Sequence, residues 1–253
     1  ITYPDGEEVD LLFDRRLHSY KVGDEMIPSA TKVLGVISKP ALVPWALKMG
    51  VEWFEGKVFK DEESSANGTH VYKSPLSLDS IIKGVKSAHR QTSTSAINIG
   101  NITHDWVEEA INFHMKGGVI PKLPTQEEAI NSIDAFKAWV QENEIEWLSA
   151  EEKLYHRKHK YAGTVDARAY INGEYCVIDW KTSKAVYPEY HLQVAAYAKA
   201  VEDMHDKKVD ATYILRCDKV TGRFEAVRSK DIAKNFKAFL AALTLYKRLK
   251  EIR

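Results

Sequence analysis

Apolar and polar residues alternate at the start of the chain. Residues 9–13 and 18–22 are predicted strands, joined by the charged turn Asp14-Arg15-Arg16 and followed by Gly23-Asp24. Helical spacing then takes over. Pro28-Ser29 opens a helix with Ser29 as N-cap and Val33, Leu34 and Ile37 as apolar positions. Pro40 and Pro44 interrupt it, and an amphipathic helix resumes over 45–59 with Trp45, Met49, Trp53 and Phe54. Residues 61–80 are polar and turn-rich, which predicts a loop ending in a helix start near Asp79. That helix has Ile81, Ile82, Val85 and Ala88 on an apolar face and Lys83, Lys86 and Arg90 on a basic one. The run of serine and threonine at 92–96 is expected to break it. A further helix over 99–115 stops at Gly117-Gly118. Another starts at a Thr125 cap with Glu128 at the capping-box position, burying Ile130, Ile133, Phe136, Ala138, Trp139 and Val140.

After residue 145 the period shortens. Residues 147–155, 162–171 and 175–180 are predicted strands, with Asn172-Gly173 as the hairpin turn between the last two. A helix over 188–201, strands at 211–217 and 223–227, and a closing helix over 229–252 follow. The order predicts an α/β fold, a mixed central sheet flanked by helices, with a largely helical N-terminal part. We read one domain over 1–253: a hairpin and helical region at 1–145, a catalytic sheet core at 146–228 and a C-terminal helix at 229–253.

Composition adds bounds. The 253 residues are 44% hydrophobic and 28% charged, enough for a sizeable core without covalent staples. No apolar run reaches the roughly 20 residues of a membrane span, so no membrane partner is expected. No secretory leader is expected either, and the location anticipated is the cytoplasm of a bacterial or phage-infected cell, or an organellar matrix. Net charge is +0, which leaves a nucleic-acid partner open: acidic residues can hold metal while basic ones line a groove. Cys176 and Cys217 form no CxxC pair, and two thiols cannot hold a four-cysteine iron–sulfur cluster.

The chemistry gathers around Asp166 and the run Asp179-Trp180-Lys181. Residues two apart in a strand point the same way, so Asp179 and Lys181 share a face. Asp166 lies in the partner strand across the Asn-Gly turn. Two carboxylates converging from neighbouring strands suit Mg²⁺ or Mn²⁺, which prefer oxygen ligands. A buried Asp–Lys ion pair without function is the alternative. His104, early in a helix, adds a candidate nitrogen ligand, and Gln193 and Tyr197 share a helix face just after the lysine strand.

In this order the residues resemble the RecB-like branch of the PD-(D/E)xK nucleases. Gly100 to His104 matches the GxxxH element, Glu151 through Gly163-Thr164-Val165-Asp166 the E…GTVD element, Asp179-Trp180-Lys181 the DxK element and Gln193 to Tyr197 the QxxxY element. Pro28-Ser29-Ala30-Thr31-Lys32-Val33-Leu34 is similar to a segment of the mitochondrial genome maintenance exonucleases and related phage nucleases. The resemblance implies a restriction-endonuclease-like core holding one or two Mg²⁺ or Mn²⁺ ions and no iron–sulfur cluster. His104, Asp166, Asp179 and the Trp180 carbonyl would be ligands, and Lys181 would position the attacking water. The acidic element would be Glu151 or Glu152, with Glu151 preferred. Gln193 and Tyr197 would contact DNA. Basic residues are expected on the backbone: Arg157 and Lys158 in the run 153–160, and Lys83, Lys86 and Arg90 on their helix. The tail basics Lys247, Arg248, Lys250 and Arg253 read as a solvated face, and Trp45, Trp53 and Trp106 as core or as stacking platforms. The activity implied is a DNA exonuclease acting on single-stranded or frayed ends and leaving 5′-phosphates, with the helical region arching over the site. A structure-specific or duplex endonuclease and a catalytically silent DNA-binding subunit are the alternatives.

Overall fold

A computed structural model describes residues 1–14, 17, 19–66, 69–218 and 221–252. The expectations for Arg15, Arg16, His18 and Arg253 lie outside the described residues. The chain divides into two units, one of residues 1–37 and 99–253, the other of residues 38–98.

The first unit holds a mixed five-stranded sheet flanked by helices, the architecture the pattern predicts. Its strands are β6 (Ile145–His156), β7 (Tyr161–Ile171), β8 (Glu174–Lys181), β9 (Ala211–Cys217) and β10 (Phe224–Ser229). Their spatial order is β10-β9-β8-β7-β6. The β8–β9 pair is parallel and the other pairs are antiparallel. A parallel pair needs a crossover, and helix α5 (Pro188–His205) supplies it. That crossover lays α5 against the sheet beside the end of β8.

Apolar clusters form on both sides of the sheet. One gathers Val165, Tyr175 and Val177 with Val33 and Leu34 of α1 (Ala30–Leu34), Ala195 to Ala198 of α5 and Phe239 of α6 (Ile232–Glu251). Runs of alanine let α5 approach the strands closely. The other gathers Ala167, Ile178 and Trp180 with Val107 and Ile111 of α3 (Leu78–Lys116) and Ile133, Phe136 and Trp139 of α4 (Glu127–Gln141). Trp106 belongs to this second cluster, so it is a core residue and not a stacking platform.

Several boundaries differ from the sequence reading. A third strand, β3 (Glu25–Ile27), extends the hairpin of β1 (Leu11–Asp14) and β2 (Ser19–Val22); three residues are too few to show alternation. Ser29 does cap α1, accepting from Lys32 N–H. The second helix, α2 (Leu42–Glu55), starts and ends earlier than 45–59. Pro44 falls in its first turn, where a missing N–H costs nothing. In place of the predicted loop over 61–80 stand β4 (Phe59–Ala66), which begins two residues earlier, and β5 (Thr69–Lys73), paired from Phe59↔Lys73 to Ala66↔Thr69. Polar strands carry no alternating apolar signal. The expected break at 92–96 is also absent: α3 runs unbroken for 39 residues. Serine and threonine cost only about 0.5 kcal/mol each in a helix, and Thr92 Oγ1 donates to the Ala88 carbonyl instead of competing for the backbone. The cap of α4 is Gln126 without a side-chain hydrogen bond, and Thr125 and Glu128 form no capping box there. Gly117, with φ +73°, does end α3.

In the second unit the Trp53 ring covers Gly84, where a Cβ would lie 2.0 Å from the indole. Trp53 is therefore packed, while Lys83, Lys86 and Arg90 are exposed on α3. Among the described residues no helix is long and apolar enough to cross a membrane.

Candidate metal centre

The β7–β8 ladder pairs Ile171↔Glu174 through Ala167↔Ile178 and ends there. Asp166 and Asp179 are the next residues on each strand. Past the end of the ladder, Trp180 N–H donates to Asp166 Oδ2 at 2.6 Å in place of a backbone carbonyl. On the other side of β7, Ala150 pairs with Ala167 and Glu152 with Val165, so Glu151 stands opposite Asp166. Glu151 has φ +49°, left-handed for a residue within a strand. Three acids thus lie side by side on β6, β7 and β8.

His104 comes in from α3, its Nδ1 3.6 Å from Asp166 Oδ1. Ligand atoms of His104, Glu151 and Asp166 all lie within 4.8 Å of one another, a group that could hold a metal ion. Gly100, one turn earlier, packs against Thr182, where a Cβ would sit 3.1 Å from the hydroxyl. The small residue keeps this turn of α3 close to the end of β8.

Asp179 is fully buried and sits next to this trio without belonging to it. Its Oδ1 accepts from Gln193 Nε2 at 3.3 Å, and Lys181 Nζ lies 2.5 Å from Oδ2. The lysine contact is the charge partner of Oδ2 and opposes the effect of burial on the Asp179 carboxyl. Gln193 also donates to the Tyr197 hydroxyl at 2.9 Å. Tyr197 lies over Gly163, where a Cβ would be 2.5 Å from the ring. The glycine of the GTVD run is thus required by the approach of Tyr197. Gln193 and Tyr197, expected at the DNA, are both buried, and Gln193 bridges Asp179 and the Tyr197 hydroxyl.

Electrostatics divide the acids. Burial works against ionisation of Asp166, but His104, Lys181 and the Trp180 N–H outweigh it and hold the carboxyl low. Burial pushes Asp179 up to about 6; Lys181 opposes this and Asp166 adds to it. Burial and then Asp166 push Glu151 up to about 7, against the pull of Lys153. For His104 and Lys181, burial favours the neutral form, yet the surrounding carboxylates win and raise both. The centre is a crowded set of carboxylates with too little positive charge.

Glu152 is employed elsewhere. It bonds Ser149 Oγ at 2.6 Å, His205 Nε2 at 2.8 Å and the Arg168 guanidinium. Burial opposes its ionisation, and the His205 and Arg168 contacts draw it down to about 2. Of the two neighbouring glutamates, Glu151 is the one that lies beside His104 and Asp166.

The basic run 153–160 does not act as one surface. Lys153 Nζ stands 3.8 Å from Glu151 Oε2 and 5.1 Å from the Phe13 ring centre. Arg157, expected on the DNA backbone, is engaged within the chain. Its guanidinium bonds Asp5, Glu7 and Asp203 and stacks on Tyr3, pinning the N-terminal segment to β6. Lys160 pairs with Glu25, and Lys158 is exposed. In the tail, Lys247 donates to the His159 carbonyl and Arg248 pairs with Glu251. Lys153 was missed as a neighbour of the site, although its two-residue spacing from Glu151 is the signal that places it.

No protein-family model matches the chain, and no curated protein sequence matches it. Among solved structures it is similar to LHK-Exo in complex with dAMP, at 14% identity and a TM-score of 0.31, over 62% of this chain and 90% of that one. It is also similar to SSO0001, at 14% identity and a TM-score of 0.27, over 58% of this chain and 74% of that one. Both TM-scores are below 0.5, so neither likeness carries an argument, and the chemistry rests on this chain's own residues.

Proposed function

We propose that this chain is a divalent-metal-dependent deoxyribonuclease, an exonuclease on single-stranded or frayed DNA that leaves 5′-phosphates. One observation carries the reading: His104, Glu151 and Asp166 converge within 4.8 Å beside the Asp179–Lys181 pair. The residues fit a hard divalent cation. The donors are carboxylate oxygens and one imidazole, and Glu151 resists ionisation because it is buried and faces Asp166. A cation would relieve the crowding of Glu151 against Asp166. His104, Glu151 and Asp166 would hold it, with Asp179 and the Trp180 carbonyl as further ligands. One or two Mg²⁺ or Mn²⁺ ions bound there supply Lewis acidity toward a phosphoryl group.

The chain's own groups do the rest. Lys181 keeps its proton and presents a cation beside Asp179, where it orients a water toward phosphorus. The water oxygen bonds to phosphorus and releases a proton to solvent as the bond to the 3′ oxygen breaks, and the freed 3′ oxygen takes up a proton from solvent, leaving a 5′-phosphate and a 3′-hydroxyl. Gln193 fixes Asp179, and the Trp180 N–H fixes Asp166, so neither carboxylate reorganises during the step. Exposed Lys158, Lys83, Lys86 and Arg90 are proposed contacts to the DNA backbone.

End-labelled single- and double-stranded oligonucleotides, incubated with Mg²⁺ or Mn²⁺ and read as ladders from each end, test this reading. We expect stepwise shortening of the single strand, none in chelator, and an intact covalently closed circle. Cleavage of the circle would favour the endonuclease reading. Tight DNA binding without cleavage in either metal would favour a silent binding subunit.

A further inference from the structure

We infer that Arg168 is a positioning residue, which with Ser149 and Glu152 holds Glu151 in the left-handed conformation that aims its carboxylate at Asp166 and His104. The inference rests on the metal reading above and assigns a role to residues outside that centre.

Glu151 has φ +49°, a backbone conformation that L residues with long side chains rarely adopt. Such a conformation lasts only where the surroundings over-determine it. Here they do so from both flanks. Ser149, two residues before Glu151, and Glu152, one residue after it, are bound by one guanidinium. Arg168 Nε bonds Ser149 Oγ at 3.1 Å and also the Glu152 carboxylate, while Ser149 Oγ donates to Glu152 Oε2 at 2.6 Å. Arg168 is itself fixed, because its Nη1 donates to the Tyr175 hydroxyl at 2.7 Å. The second Glu152 oxygen meets His205 Nε2 at 2.8 Å, at the last residue of α5. The strand on either side of Glu151 is thus clamped to β7, β8 and α5.

The pairing shows what the clamp achieves. Ala150↔Ala167 and Glu152↔Val165 keep a constant register, so no residue is inserted at Glu151. The register shift of this strand lies earlier, between Trp147 and Ser149, where the clamp begins, and at Glu151 itself the departure is one of torsion. Without the clamp, the residue can relax toward extended geometry while its neighbours stay paired. The carboxylate would then leave His104 and Asp166 with the fold intact. Among the described residues Arg168 and Glu152 bond Ser149, Tyr175, His205 and each other rather than His104, Asp166 or Asp179, so the route of their effect on the centre is Glu151.

The test titrates metal-free protein with Mn²⁺ and follows the free ion by electron paramagnetic resonance, which needs no DNA and no turnover. Arg168→Lys keeps the charge but loses the fork, and Glu152→Gln removes the anion. Each is expected to raise the Mn²⁺ dissociation constant by about 10- to 100-fold, the usual cost of losing a group that orients a metal ligand. Ser149→Ala, a mild change that leaves the guanidinium in place, is expected to raise it several-fold. Phe239→Leu opens space in the core near α6; it should lower thermal stability and leave the constant unchanged. In a Glu151→Gln background, Arg168→Lys should have no further effect, because its target is gone. Wild-type affinity in folded Arg168→Lys and Ser149→Ala would overturn the inference and leave the metal reading standing. A wild-type protein that binds no Mn²⁺ would overturn both.

Discussion

Replacing Glu151 by glutamine should make the metal-free protein more stable and its metal-bound form less so. The carboxyl is raised from 4.5 to about 7, first by burial and then by the facing Asp166. Between those two values the folded chain holds a proton that the unfolded chain has released. Stability therefore falls as pH rises from 4.5 to 7, and the loss is complete above 7. The difference corresponds to about 3 kcal/mol at 1.36 kcal/mol per pH unit. With 29% of the side chain exposed, solvent screening reduces this to about 2 kcal/mol. Glutamine keeps the shape and the left-handed backbone but has nothing to ionise. In chelator at pH 8, Glu151→Gln should exceed the wild type by about 2 kcal/mol in urea unfolding, or roughly 5 °C in melting temperature for a chain of this size. Near pH 4.5 the two should coincide. Adding Mn²⁺ at a hundred times its dissociation constant stabilises the wild type by about 2.7 kcal/mol and should reverse the order. A variant that is less stable than the wild type at pH 8 without metal, or a difference that ignores pH, would refute the charge-crowding argument.

Three further outcomes are expected. Lys181→Ala should lower DNA cleavage by more than about 100-fold while Ca²⁺-supported DNA binding, followed by fluorescence anisotropy, persists; cleavage at the wild-type rate would remove the lysine from the chemistry. Gly163→Ala puts a methyl group 2.5 Å from the Tyr197 ring and should cost about 1–3 kcal/mol in urea unfolding, with partial recovery on adding Tyr197→Leu. His156 is held down at about 4, chiefly by burial, so the neutral ring is the one the fold accepts. Stability from this group is full above pH 6.5 and lost as pH falls through 4, and His156→Gln should flatten the acid limb of the stability curve by about 3 kcal/mol.

The sequence by itself determined most of the sheet and the identity of the chemical groups. Strands β6 to β10 and helix α5 follow from period, from Asn172-Gly173 and from Pro188, because buried strands and capped helices leave local marks. The same-face pairing of Asp179 with Lys181 is a consequence of strand geometry alone. Tertiary structure decided what lacks a local mark. A polar hairpin at β4–β5 has no apolar alternation, and an uninterrupted α3 through a serine-threonine run depends on small propensities that context overrides. Which of two adjacent glutamates lies beside His104 and Asp166 could not be read locally either. Their side chains differ only in the partners the fold brings: Arg168 and His205 to Glu152, and Asp166 and His104 to Glu151. The same holds for Arg157, a cation in sequence and a clamp among three carboxylates in space. Residue type fixes what a side chain can do, and long-range packing fixes whom it meets.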